Sequence, residues 1–73
     1  MNTAFVSKII YNKKTKKTTT QTYRAIYGFA ATDLIDELGE DWTKKLFITK
    51  DNVVCGFYQN SEKKVLIKIY GEN

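Results

Sequence analysis

Four lysines lie close together in the segment NKKTKK, which spans residues 12–17. Ammonium groups bind phosphates, and each phosphate that they neutralise adds to the affinity and to its salt dependence. The same composition suits the solvated tip of a hairpin, where lysine discourages pairing between strand edges. Both interpretations stay open. The lysines of this first candidate binding site are Lys13, Lys14, Lys16 and Lys17.

Aromatic residues form a second candidate site because most of them fall on or beside segments that are predicted to be strands. Single-stranded nucleic acids stack their bases on exposed sheet faces that carry aromatic rings and nearby cations. Aromatic residues also pack in cores and in dimer interfaces, and no motif of the RNA-recognition type is present. The aromatic set is Tyr11, Tyr23, Tyr27, Phe29, Phe57, Tyr58 and Tyr70. Of the aromatic set and the neighbouring arginine, we predict Tyr23, Arg24, Tyr27 and Tyr58 as partner-binding residues.

A third candidate site is a group of acidic residues between the first two and the last three predicted strands. Such a group can imitate a phosphate backbone or dock on a basic protein surface. The alternative is the solvated side of an amphipathic helix. Its members are Asp36, Glu37, Glu40 and Asp41.

The residues that most enzymes need for catalysis are missing. The chain has no histidine, which excludes catalytic triads and dyads built on that residue. It has no glycine-rich phosphate loop. Cys55 is the only cysteine, so no disulfide can form within the chain, and without a histidine to act as base it is interpreted as a structural thiol. We therefore expect a protein that is not an enzyme and has neither a metal site nor a cofactor.

Charge is segregated along the chain, whose formal net charge is +4. Residues 1–29 hold basic side chains and no acid, whereas residues 30–41 hold acids and no base. The sequence therefore predicts a molecule with a basic hairpin and an acidic helix, an asymmetry that bears on partners and on encounter rates.

Two strands are predicted in the first third of the chain. Residues 4–11 alternate with apolar side chains on both faces, which favours a central strand. Residues 18–27 are rich in threonine and aromatics, as strands are. The polar residues 12–17 between them fit a hairpin loop.

A helix follows the break at Gly28. An apolar stripe at three- and four-residue spacing indicates an amphipathic helix, with Thr32 as the expected N-cap. Gly39 suits the end of this helix, and the alternative is a helix that continues to Lys45. The stripe consists of Ala31, Leu34, Ile35, Leu38 and Trp42.

Three further strands are predicted at residues 44–49, 53–59 and 65–70, with a two-residue loop at Asp51 and Asn52. The expected fold is α+β, in a single domain of residues 1–73. An antiparallel sheet carries one helix on a face, in the order β-β-α-β-β-β.

From these observations we expect a small protein-binding module, an inhibitor or accessory factor of the phage or mobile-element type. It would act by occupying a surface of a host protein complex. The alternative is a protein that binds RNA or single-stranded DNA through the lysine run and an aromatic sheet face. The charge alone predicts weak, nonspecific binding of nucleic acid at low salt.

The small size of the chain makes its stability marginal, so a homodimer is expected. The first residues lack the pattern of a secretory signal, and no apolar stretch is long enough for a membrane span. A cytoplasmic protein without membrane contact is therefore expected.

Overall fold

The structure, a computed structural model that describes residues 2–72, has five strands and two helices. Their bounds are β1 (Thr3–Asn12), β2 (Lys17–Ile26), α1 (Tyr27–Leu38), α2 (Trp42–Lys45), β3 (Leu46–Ile48), β4 (Val54–Gln59) and β5 (Lys63–Glu72). The strands form one sheet in the order β2-β1-β5-β4-β3, and every neighbouring pair is antiparallel. The predicted α+β class and antiparallel sheet are confirmed, and the short helix α2 is an addition to the predicted order.

β1 lies inside the sheet, as its two apolar faces predicted. It pairs with β2 on one side and with β5 on the other along all ten of its residues. Ala4 and Val6 are buried beneath α1, whereas Phe5 and Ile9 lie on the opposite face and are half-buried. A strand that carries apolar side chains on both faces gains most at the centre of a sheet.

The core lies between α1 and one face of the sheet. α1 buries Ala30, Leu34 and Leu38, which recur every four residues and so lie along one side of the helix. A Cβ atom added to Gly56 would come within 2.7 Å of Leu34 Cδ1 and 2.8 Å of Leu38 Cδ1. Glycine in β4 therefore lets the helix approach the sheet closely. The buried apolar residues of this cluster are Ala4, Val6, Ala30, Leu34, Leu38, Val65, Ile67 and Ile69.

α1 begins at Tyr27, earlier than the sequence predicts. The predicted N-cap, Thr32, is wrong, because Thr32 lies inside the helix and its Oγ1 donates to the carbonyl of Gly28 at 2.9 Å. Gly28 is likewise a helical residue. Ala30 is buried against the sheet, so the first turn of α1 contributes to the core. This packing outweighs the low helix propensity of Gly28.

Gly39 ends α1, as one of the two predictions stated. Its φ of 90° lies in a region that favours glycine. A helix continuing to Lys45 is wrong, because α2 is separate, yet Lys45 Nζ still donates to the carbonyl of Leu38 at 2.8 Å. Trp42 lies in α2 and is half-buried against the core.

The last three strands differ from their predicted bounds by one or two residues, at their starts and, in β3 and β5, also at their ends. β3 begins only at Leu46, since the residues before it form α2. The turn after β3 has three residues rather than two, because Thr49 N donates to the carbonyl of Val53 at 3.0 Å. Asn52 has a φ of 62° there, in the left-handed region that asparagine tolerates. Within residues 2–72, neither helix is long and apolar enough to cross a membrane.

Candidate binding surface on the open sheet face

α1 covers one face of the sheet, and no helix of residues 2–72 covers the other, which we call the open face. Side chains alternate between the two faces along each strand, so the register assigns each strand residue to one of them. The side chains of the open face include Phe5, Ile9, Tyr11, Arg24, Phe47, Cys55, Phe57, Lys64, Leu66, Lys68 and Tyr70.

Apolar side chains cross the open face in two places. Phe5 lies directly opposite Tyr70, and their ring centroids are 6.2 Å apart. Ile9, Leu66 and Phe57 form a continuous row across β1, β5 and β4. Phe57 and Tyr70 are each 37% exposed, which is high for aromatic residues of inner strands.

The apolar row ends in a shallow hollow next to the edge strand β3. The hollow has a volume of about 310 Å³, and Phe47 in its wall is 46% exposed. It provides space for an apolar or planar group beside the sheet. Its lining residues are Lys44, Lys45, Leu46, Phe47, Phe57 and Leu66.

Cations lie among these rings. The guanidinium carbon of Arg24 is 6.0 Å from the ring centroid of Phe5, and Lys64 Nζ is 5.9 Å from that of Tyr11. Among the strand residues between 3 and 72, Glu72 is the one carboxylate on this face, and its Oε1 is 3.5 Å from Arg24 Nε. The open face is therefore both aromatic and basic.

The predicted hairpin is confirmed, and its turn is well defined. Lys16 has a φ of 59°, and its backbone N donates to the carbonyl of Asn12 at 2.7 Å. Asn12 Oδ1 accepts from the backbone N of Lys14 at 2.9 Å and of Thr15 at 3.0 Å. This turn holds the backbone in place while the lysine side chains extend from it.

The sheet brings two more lysines to this hairpin. Lys63 pairs with Asn12, Lys64 pairs with Tyr11, and Lys13 N donates to the carbonyl of Glu62 at 2.9 Å. Six lysines thus gather at one end of the molecule, which we call the basic tip. They are Lys13, Lys14, Lys16, Lys17, Lys63 and Lys64.

The acidic candidates lie on or just after α1, which packs on the side opposite the open face. Glu37 is engaged within the molecule, since Lys8 Nζ donates to it at 2.6 Å and Tyr58 Oη donates to it at 3.3 Å. Asp41 pairs with Lys45 at 2.9 Å, and this hydrogen bond lowers the pKa of the Asp41 carboxyl. Glu37 therefore connects α1 to β1 and β4, whereas Asp41 forms a partly exposed pair with a residue only four positions away.

The remaining two acidic candidates, Asp36 and Glu40, are exposed on the side of the molecule that carries α1. Neither forms an ion pair in the described part of the chain.

The tyrosines predicted to bind a partner lie on the side of the sheet that α1 covers. Tyr23 is 42% exposed at the margin of α1, and Tyr27 and Tyr58 are half-buried against the core. Burial raises the pKa of the Tyr58 phenol, and Glu37 adds to this shift. Arg24, by contrast, is on the open face.

Sequence reasoning placed three open-face aromatics, Tyr11, Phe57 and Tyr70, in the aromatic candidate set, but it selected neither Phe5 nor Ile9. Phe5 and Ile9 follow the same two-residue period as Tyr11 along β1, so their shared face was visible in the sequence. The contributions of Leu66 and Lys68 depend on how β5 pairs with β1, which alternation within β1 does not reveal.

Cys55 is a buried thiol. It is 1% exposed, and its Sγ donates to the carbonyl of Val53 at 3.7 Å. Burial raises the pKa of this thiol, which keeps it protonated and unreactive at neutral pH. Residues 2–72 contain no group of three or more His, Cys, Asp or Glu side chains that could hold a metal ion.

No family model, curated protein or solved structure matches this chain. The open face, the basic tip and the acidic side of α1 are therefore the features from which a function can be inferred.

Proposed function

We propose that the protein is a non-enzymatic binding module that holds single-stranded nucleic acid on the open face and at the basic tip. The observation that carries this proposal is the mixture of aromatic rings and cations on a sheet face whose one carboxylate among the described strand residues, Glu72, lies beside Arg24. Stacking on aromatic side chains contributes about 1–3 kcal/mol per base and tolerates any sequence.

The spacing of the rings supports an extended ligand. Phe5 and Tyr11 lie six residues apart on β1, a distance of about 20 Å at the usual strand rise. Tyr70 adjoins Phe5 at 6.2 Å between ring centroids, and Phe57 lies one strand further across the sheet. Several bases of an unpaired strand would thus have an aromatic partner.

The charge distribution supports an anionic ligand that approaches from this side. Lys64 belongs to both the basic tip and the open face, so the positive surface continues from one to the other. An acidic helix would repel a nucleic acid that approached from its side, which favours a protein partner there. Since α1 packs against the other face of the sheet, that objection does not apply to the open face.

A protein partner is the second candidate function, and the apolar row favours it. Ile9 and Leu66 are aliphatic, and together with Phe57 and the adjoining hollow they resemble the apolar centre of a protein interface. According to this second proposal, the protein is an inhibitor or accessory factor of the phage type. It covers a surface of a host complex that is apolar at its centre and carries acidic residues around it.

The proposal is tested by fluorescence anisotropy with labelled single-stranded DNA and RNA of mixed sequence. We expect Phe57→Ala and Tyr70→Ala each to weaken binding by about tenfold, as the loss of one stacked base predicts. Phe29→Ala is the matched control, because Phe29 is 65% exposed but lies on α1. If all three variants bind like the parent, the open face does not stack bases.

The basic tip is tested by replacing Lys13, Lys14, Lys16 and Lys17 together with glutamine. The slope of log affinity against log salt should flatten by up to about 3 units, at about 0.7 for each single-strand phosphate that a lysine no longer neutralises. Lys50→Gln is the control, since Lys50 lies in the turn before β4, at the end of the sheet away from the tip. An unchanged slope would remove the tip from the binding site.

Affinity capture from host lysate distinguishes the two candidate functions. A protein captured after nuclease treatment by the parent, and absent from the capture with Tyr70→Ala, would support the second function. Failure of the parent to bind single-stranded nucleic acid even at low salt would exclude the first.

A further inference from the structure

β2 forms a long outer edge of the sheet. Within residues 2–72 it pairs with β1 alone, through ten consecutive residue pairs without a bulge. Its outward backbone N–H and C=O groups are therefore available to a further strand. Nine of its ten side chains are exposed, and Ala25 is half-buried.

Natural proteins usually protect such edges with lysine, proline, bulges or short strands. The other edge strand, β3, has only three residues. In β2 the charges stand near the two ends, at Lys17 and Arg24, and the six residues between them are uncharged. Four of these six are threonine, a residue that favours strands and forms favourable cross-strand pairs with itself.

We propose that β2 pairs antiparallel with β2 of a second copy of this chain, about a two-fold axis at Gln21. The pairing joins two five-stranded sheets into one of ten strands. This dimer is independent of the proposed nucleic-acid function.

The sheet geometry limits the register of this pairing. In an antiparallel pair, the side chains of directly opposite residues lie on the same face of the sheet, and successive side chains alternate between the faces. A two-fold axis must therefore set one residue of β2 opposite the same residue of the second copy, and it cannot lie between two successive residues. An axis at Gln21 pairs residues 17–25 of the two copies. Lys17 then lies opposite Ala25, and Arg24 lies opposite Thr18, so no two like charges are opposite each other.

The charges of the two halves are complementary in this arrangement. Antiparallel pairing brings the basic tip of one copy beside the half of the other that α1 covers. Lys17 of the second copy then lies on the α1 side of the joined sheet. It is opposite Ala25, two residues along β2 from Tyr23. Tyr23, Lys8, Asp33 and Glu37 line one small hollow there. Lys8 already pairs with Glu37, so Asp33 is the carboxylate that can attract the lysine of the second copy.

The open face is a poorer site for a second copy than this edge. A face-to-face dimer would set one cationic surface, which carries Arg24, Lys64 and Lys68, against a second copy of the same cationic surface. Edge pairing leaves both open faces exposed on the same side of the joined sheet.

Sedimentation of the full chain at micromolar concentration tests the proposal. We expect a dimer, and we expect Gln21→Glu to raise its dissociation constant by up to about fivefold, since it sets like charges directly opposite each other across the dimer while it faces Lys8 within each copy. Thr43→Glu is the matched control, because Thr43 is exposed on α2. A monomeric parent, or equal dimerisation of the two variants, would overturn the proposal.

Oxidation of a Gln21→Cys variant provides a second test that does not add charge. Opposed strand residues lie about 4.5–5.5 Å apart between Cα atoms, within the range of a disulfide. We expect a covalent dimer from Gln21→Cys and none from the control Thr43→Cys. Cys55 is buried, so we expect it to form few disulfide-linked dimers of its own. Equal yields from the two variants would contradict the pairing.

Discussion

Gly56→Ala is expected to destabilise the protein although it adds only one methyl group. The new Cβ would lie 2.7 Å from Leu34 Cδ1 and 2.8 Å from Leu38 Cδ1. Both distances are shorter than ordinary carbon contacts, which are about 3.5–4.0 Å. The two leucines are only 3% and 2% exposed, so their side chains have little room to move away.

Two opposing effects set the magnitude. Overpacking of a filled core costs about 1–3 kcal/mol. Replacing glycine by alanine also restricts the unfolded chain and returns about 0.4–1 kcal/mol. The midpoints of these two ranges leave a net loss of about 1.3 kcal/mol in the free energy of unfolding, or roughly 5–10 °C in the melting temperature of a domain this small.

Urea denaturation of the parent, Gly56→Ala and Gly28→Ala measures this effect. Gly28 is the control, because a Cβ added there has no neighbour within 4 Å among the described residues. Gly28 also lies in α1, where alanine favours the helix by up to about 1 kcal/mol. The two substitutions should therefore change stability in opposite directions.

A double variant identifies the cause of the loss. Gly56→Ala combined with Leu38→Ala should lose less stability than the sum of the two single variants, by at least about 0.5 kcal/mol, because the second change removes one of the two crowded side chains and makes room for the other. If the losses simply add, or if Gly56→Ala stabilises the protein as Gly28→Ala does, α1 does not pack on Gly56 as described.

Three further predictions concern the core and the buried titratable groups. Leu38→Ala should cost about 2–5 kcal/mol in chemical denaturation, and a melting temperature near that of the parent would contradict its burial. Burial raises the pKa of Cys55 and Tyr58, so stability present at neutral pH should fall as pH rises through these raised values; a flat alkaline profile in urea melts would refute this. A thiol reagent should label Cys55 only when the protein unfolds, and rapid labelling of the native protein would contradict its burial.

Local patterns in the sequence determined the element types. Alternation predicted the strands, and the apolar residues on both sides of β1 predicted its central position. The polar segment 12–17 predicted the hairpin turn. Each of these features depends on neighbouring residues, whose spacing reflects strand or helix geometry directly.

Contacts between distant segments decided the start of α1. The local sequence around Gly28 predicts a boundary between a strand and a helix. Because Ala30 is buried against the sheet, the helix instead begins at Tyr27 and includes Gly28. The separate helix α2 and the close approach of α1 to Gly56 are likewise products of packing.

Tertiary structure also decided the composition of the candidate binding surface. Which strand residues meet on the open face depends on the pairing of β1, β5 and β4, and a shift of one residue would exchange the two faces. Lys63 and Lys64 join the basic tip because β5 pairs with β1 next to the hairpin. The local pattern can show that a residue belongs to a strand, but only the long-range register determines which distant side chains become its neighbours.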